Sequence, residues 1–392
     1  MTESRFKISS FDSPFWHSIS PDVINREDIV AKLNLLDVLE GMSPYRARAD
    51  YSQRVFRAIS QLEAHPDMNG DWLEAALTVF ANARYVTTQM FDDAWRSLYR
   101  KLLMVLSSNH DLWNVKSAEI LRDVHFFEND PSGMINQFFH VNEIHGRLDT
   151  GKVSRINDVE KLGKVALEAV SGDRQRAKAA RDELSNIAAK KVWVVLVDKS
   201  ISSHSLSSDL DRIAGFRQLA GLSDTKIVLL VQIMTAAAKA TIAARPAAES
   251  LIRDGNLHIL SAITIPHSYS ITNASYALIS DGRVMENAKR LCEWFAESFI
   301  LRDTQLNRMR AQSGDNLEYG YRKAGLTLSD NHNCPTGTLP IFWHSVKNAS
   351  FVYDAPYERI HSRHGDQDKE QTESLWKSVL SSSRLAGVLA EI

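Results

Sequence analysis

An acid, a base and a run of hydroxyls stand together in one stretch, Asp198-Lys199-Ser200-Ile201-Ser202-Ser203-His204-Ser205. Such a set suits a phosphorylated ligand. Backbone N–H groups in a tight turn that opens a helix attract phosphate, and serine hydroxyls add donors. Ser202, Ser203 and Ser205 are therefore candidate phosphate ligands. His204 is a further donor, and an anion beside it would raise its pKa. The plain alternative is a strand followed by a helix with Ser205 or Ser207 as its N-cap, and His204 as a capping or packing side chain.

Other chemistry-bearing patterns carry less. Gly146-Arg147-Leu148-Asp149-Thr150-Gly151-Lys152-Val153 has the spacing of a Walker A loop up to its last position. Val153 offers no hydroxyl, and no buried apolar strand leads into Gly146, so the mechanism behind that motif is missing. Cys292 and Cys334 make neither a metal-type spacing nor a disulfide framework. His361 and His364 lie close together without a carboxylate or cysteine at ligand spacing, and no metal site is expected.

The elements around the first stretch place it. Val192 to Val197 is a continuous apolar run, mostly β-branched, which reads as a strand buried on both faces of a parallel sheet. A helix-compatible segment, Leu206 to Leu219, follows. Loops leaving the C-terminal ends of such strands are the usual ligand sites of open α/β sheets. Lys226 to Met234 and Leu257 to Ile265 read as two further buried strands, separated by a small-residue helix, Ala236 to Ala243. Upstream, Ile120 to Phe127 reads as a strand, residues 128–133 as a loop and Met134 to Ile144 as a helix. Strands alternating with helices at this spacing argue an α/β fold with a parallel sheet. Residues 155–189 read as helical, and so does Met285 to Met309, with an apolar stripe at Leu291, Trp294, Phe295, Phe299 and Ile300.

The first third is different. An irregular arm spans residues 1 to about 20, and helical patterns follow it. In the first of these, Ile29, Leu33, Leu36 and Val38 are candidate core positions. The later helices run over Tyr51 to Ala64, Trp72 to Phe80 and Thr88 to Leu106. A helix, a short connector and a longer helix look like a winged-helix or helix-turn-helix unit. Arg84, Arg96, Arg100 and Lys101 would then meet nucleic-acid phosphates. The alternative is a helical packing domain with a solvated face, since Glu74, Asp92 and Asp93 dilute the charge. The expected organisation is an all-α, winged-helix-like domain over 1–112, an α/β domain over 113–365 and a helical tail over 366–392.

Bulk properties set the frame. The 392 residues suffice for two or three domains, and a net charge of -2 gives no global attraction to nucleic acid. No run approaches the roughly 18 apolar residues of a membrane span. No export signal heads the chain, and cysteine usage suits a reducing compartment. A cytoplasmic protein without a membrane partner is expected.

The stretch from Asp198 resembles the phosphoribosyl-diphosphate (PRPP) loop of type I phosphoribosyltransferases. Asp198 matches the first acid, Ile201 the aliphatic position, and Ser202, Ser203 and Ser205 the hydroxyl positions. Lys199 stands at the second acid and His204 at the glycine. Farther on, Tyr319 to Trp343 includes Asn333-Cys334-Pro335 and Leu339-Pro340-Ile341-Phe342-Trp343. With the preceding helical unit, this is similar to the phosphoribosyltransferase-like domains of bacterial conflict systems, the PRTase-CE family, which occur in antiphage defence loci. The resemblance covers about residues 70–360.

That resemblance implies a type I phosphoribosyltransferase-like core binding PRPP or a related phosphorylated sugar or nucleotide, with Mg2+ accompanying PRPP. Asp198 would hold a ribose hydroxyl. Lys199 would replace magnesium charge at pyrophosphate or pair with Asp198. Ser132 and Gly133, in the early loop, would meet pyrophosphate through backbone N–H groups. Asn331, His332 and Asn333 stand where an acceptor would be read by hydrogen bonds, unless they only stabilise their own turn. Three functions stay open. The chain is an effector enzyme, a catalytically degenerate binder of nucleotide or nucleic acid, or a partner in a multi-protein defence complex docking through its N-terminal domain.

Overall fold

The computed structural model describes residues 27–41, 51–107, 121–128, 134–144, 154–156, 159, 161–162, 174–330, 334–335, 337–348 and 351–357. The chain forms two compact units. Among the described residues, one takes 27–88 together with 266–357, and the other takes 89–265. The domain boundary expected at residue 112 falls outside the described residues.

In the first unit, α1 is Glu27–Gly41, α2 is Tyr51–Glu63 and α3 is Gly70–Ala81. A three-residue strand, β1 (Arg84–Val86), leads to α4 (Thr88–Leu106), most of which belongs to the second unit.

The second unit is built on a five-stranded sheet. Its strands are β2 (Val124–Glu128), β3 (Ser154–Arg155), β4 (Val192–Ser200), β5 (Lys226–Thr235) and β6 (Leu257–Ile265). Their spatial order is β3-β2-β4-β5-β6, and every pairing is parallel. The connecting helices are α5 (Met134–Val141), α6 (Arg174–Ala188), α7 (His204–Leu219), α8 (Ala236–Ala243) and α9 (Pro246–Arg253).

The apolar alternation along β4 explains the layers. Val192, Val194 and Leu196 join Trp95, Leu98 and Leu102 of α4, and Met134, Ile135 and Phe138 of α5, in one cluster. Trp193, Val195 and Val197 join Leu206, Leu210, Ile213 and Phe216 of α7 in the other, with residues of α6, α8 and α9. Successive side chains of a strand point to opposite faces, so the sheet lies between two helical layers. Each such side chain contributes about 1.5–3 kcal/mol on burial. Trp193 is fixed further: its indole N–H donates to Ile187 O at 3.0 Å, and its ring stacks on Phe216 at 5.3 Å.

The α/β class with a parallel sheet is as expected, and β5 and β6 match the sequence reading to within a residue. Elsewhere the elements differ. The helix expected over Met285 to Met309 ends as α10 (Gly282–Phe295), continues as one π-helical turn over Ala296–Ile300, and restarts as α11 (Asn307–Ser313). Val38 is exposed, unlike Ile29, Leu33 and Leu36.

In the first unit, β1 pairs in parallel with β7 (Leu328–Asp330), and β8 (Val346–Lys347) pairs antiparallel with β9 (Val352–Tyr353). The Leu339-Pro340-Ile341-Phe342-Trp343 segment is buried among residues of α1, α2, α3 and α10. A winged-helix unit is not confirmed. The residues of α3 lie in that cluster, whereas Trp95, Leu98 and Leu102 of α4 pack on the parallel sheet. The connector read between the two helices contains β1, whose partner is more than 240 residues away in sequence.

Candidate functional site

Strands β2 and β4 are neighbours, yet α5 follows β2 onto one face of the sheet and α7 follows β4 onto the other. The order β3-β2-β4-β5-β6 is the doubly wound arrangement in which the chain reverses direction between the first and third strands of the sheet. At such a point the two loops diverge and leave a crevice beyond the carboxyl ends of the strands. The loop carrying Asp198 to Ser205 leaves β4 there.

Its geometry is specific. Asp198 and Lys199 are the penultimate pair of residues before the last residue of β4, Ser200. Asp198 Oδ1 accepts a hydrogen bond from the Lys199 backbone N–H at 2.6 Å, and the Lys199 ammonium lies 3.4 Å from Asp198 Oδ2. The Asp198 side chain is 39% exposed and that of Lys199 14%, so the acid faces solvent with a largely covered cation beside it. Ile201 and Ser202 are half-buried, Ser203 is buried, and His204 and Ser205 are exposed.

Ser203 is the N-cap of α7, with φ 65° and ψ −16°, and its side chain makes no capping hydrogen bond. Neither Ser205 nor Ser207 is the cap. The left-handed residue is Ser203, one place before His204, which stands where the family pattern has glycine; His204 itself begins the helix. A left-handed conformation costs a non-glycine residue roughly 1–2 kcal/mol. The Ser203 hydroxyl makes none of the hydrogen bonds by which an N-cap ordinarily satisfies the first helical N–H groups. Those N–H groups and the positive end of the α7 dipole face the start of the loop.

Two features of the site are not singled out by the sequence. Thr235, the last residue of β5, donates from Oγ1 to Ile201 O at 2.8 Å and accepts from the Ala238 N–H at 3.0 Å. It thereby ties the loop to the N-terminus of α8. Ser200, 5% exposed, has an Oγ without a hydrogen-bond partner. The hydroxyl residue at the end of a strand was the signal available for each.

Ser132 and Gly133 lie outside the described residues, as do Asn331, His332 and Asn333, the Walker-like stretch, and His361 and His364. In sequence, Ser132 and Gly133 fall between β2 and α5. Asp330, just before the asparagines, ends β7 in the first unit. Among the described residues no cluster of three or more His, Cys, Asp or Glu side chains forms a metal site.

A parallel sheet wound on both faces, with a hydroxyl-rich loop at the point of reversal, is consistent with a phosphoribosyltransferase-like α/β core. The PRTase-CE family model matches residues 62–363, and the chain belongs to that family. No curated protein and no solved structure matches it. No described helix is long and apolar enough to cross a membrane.

Proposed function

We propose that the loop from Asp198 to Ser205 binds PRPP or a related phosphorylated nucleotide, and that the chain is a phosphoribosyltransferase-like effector of a bacterial antiphage defence system. The observation that carries this reading is Ser203: a buried, left-handed N-cap whose hydroxyl caps nothing, at the N-terminus of a 16-residue helix. The hydroxyls of Ser202, Ser203 and Ser205 and the first N–H groups of α7 would hold the 5′-phosphate. Asp198 would accept from a ribose hydroxyl. Phosphoribosyl transfer is largely positioning and electrostatics at an oxocarbenium-like carbon, so a rigid cradle at that point is the main requirement.

The donors do not suit a divalent cation held by the protein. Asp198 is the acid retained from the family's pair, and the Lys199 ammonium sits against it. Mg2+ would accompany the diphosphate of the ligand. The same ion pair favours a second reading, in which the site binds nucleotide or a nucleic-acid end without transfer and the chain serves as a subunit of a multi-protein defence complex. The N-terminal helices would be its dock. Localisation in the cytoplasm accords with either reading.

The experiment is a thermal-shift titration with PRPP and Mg2+, repeated on Ser203→Trp. Ligand at a hundred times its dissociation constant stabilises by about 2.7 kcal/mol. The native chain is expected to show that shift and the variant to lose it. Absence of any shift in the native chain overturns the sugar-phosphate reading. Where the shift is present, analysis of the products separates transferase from binder.

A further inference from the structure

We infer that Glu128 is a second sugar-hydroxyl acceptor of this site, standing in for the acid that Lys199 displaces. The inference rests on the sugar-phosphate reading of the Asp198 loop.

Glu128 is the last residue of β2 and is 6% exposed. Its Oε1 has no hydrogen-bond partner. A dry carboxylate oxygen without a donor is an expensive feature in a folded chain, and its retention calls for an explanation. Its position supplies one. Glu128 pairs with Leu196 across the β2–β4 ladder. Asp198 is two residues further along β4, about 7 Å along a strand, and by alternation on the same face as Leu196. The two carboxylates therefore stand on adjacent strands, on one face, staggered by one repeat, at the carboxyl end of the sheet where its direction reverses.

Their surroundings differ. Asp198 is open to water and its charge is met by Lys199, whereas Glu128 is closed off. A ribose bridging the strands would place one hydroxyl on Asp198 at the open end and its neighbour on Glu128 at the dry end. Hydrogen bonds strengthen as the local dielectric falls, so the dry acceptor would discriminate most sharply. The class of ligand is then a phosphorylated sugar with an intact vicinal diol.

The test is calorimetric titration of the full chain with ribose 5-phosphate and with 2-deoxyribose 5-phosphate. The native chain is expected to prefer the diol sugar by about tenfold, the size of one well-made hydrogen bond. Glu128→Gln should lose most of that preference while binding the deoxy sugar as before. If the native chain binds neither sugar, the phosphate cradle falls and the role of Glu128 with it. If it binds both equally, or if Glu128→Gln keeps the full preference, the Glu128 inference fails and the cradle stands. An equal loss of both affinities makes Glu128 a structural prop and also overturns the inference. Should Glu128→Gln not fold, Glu128→Asp keeps the carboxyl group, withdraws it by one methylene, and must show the same selective loss.

Discussion

Replacing Ser203 by glycine should move stability and affinity in opposite directions. The native residue is left-handed at φ 65°, a conformation that costs a side-chain-bearing residue roughly 1–2 kcal/mol. Glycine removes that cost but gives the unfolded chain more freedom, worth about 0.5–1 kcal/mol. No capping bond is lost, because the Ser203 hydroxyl makes none. The expected net change is therefore a gain of about 0 to 1.5 kcal/mol, read from urea unfolding. Affinity should fall. A hydroxyl that donates to a phosphate contributes about 1.5–3 kcal/mol, so ribose 5-phosphate should bind roughly ten- to a hundredfold more weakly by titration calorimetry. A variant destabilised by more than about 1 kcal/mol would mean that the hydroxyl has a structural partner. An unchanged affinity would mean that it has no ligand. Either result refutes the reasoning that the strain is retained for binding.

Two further expectations concern stability. His125 is buried in β2, its Nε2 has no partner, and burial, then Lys190, holds its pKa down to about 4. The unfolded state therefore takes up a proton that the folded state refuses: His125 stabilises above pH 6.5, and that stability is lost as pH falls from 6.5 toward 4. The loss at pH 5 relative to pH 7 amounts to about 2 kcal/mol. His125→Phe should remove that part of the decline, and urea midpoints at the two pH values that fall equally in both proteins would contradict it. At Gly320, φ is +77° and an added Cβ would lie 2.6 Å from Thr338 O and 2.9 Å from Gly337 C. Gly320→Ala should therefore destabilise by about 2 kcal/mol or more, and unchanged thermal unfolding would show that the backbone relaxes freely there.

The sequence carried the buried strands well, because a strand covered on both faces declares itself by composition alone. Val192 to Val197 is the plainest instance, and the hydroxyl run that follows it marked where a ligand site would open. Features set by distant pairing were not legible. The three residues of β1 look like a connector, since what makes them a strand is β7. Glu128 looked like the first loop residue, and its place two residues short of Asp198 follows only from the β2–β4 register. Ser205 or Ser207 reads as the N-cap from sequence alone, but helix α7 begins at His204 and the left-handed cap falls on Ser203. The long apolar stripe after Met285 conceals the π-helical turn at Ala296–Ile300, because burial continues through it.

The most direct measurement is a crystal structure of the full chain with PRPP and Mg2+. The account predicts the 5′-phosphate at the N-terminus of α7, its oxygens about 3 Å from the N–H groups of His204 and Ser205 and from the Ser203 hydroxyl. PRPP bound elsewhere, with the turn at Ser203 empty, would contradict it.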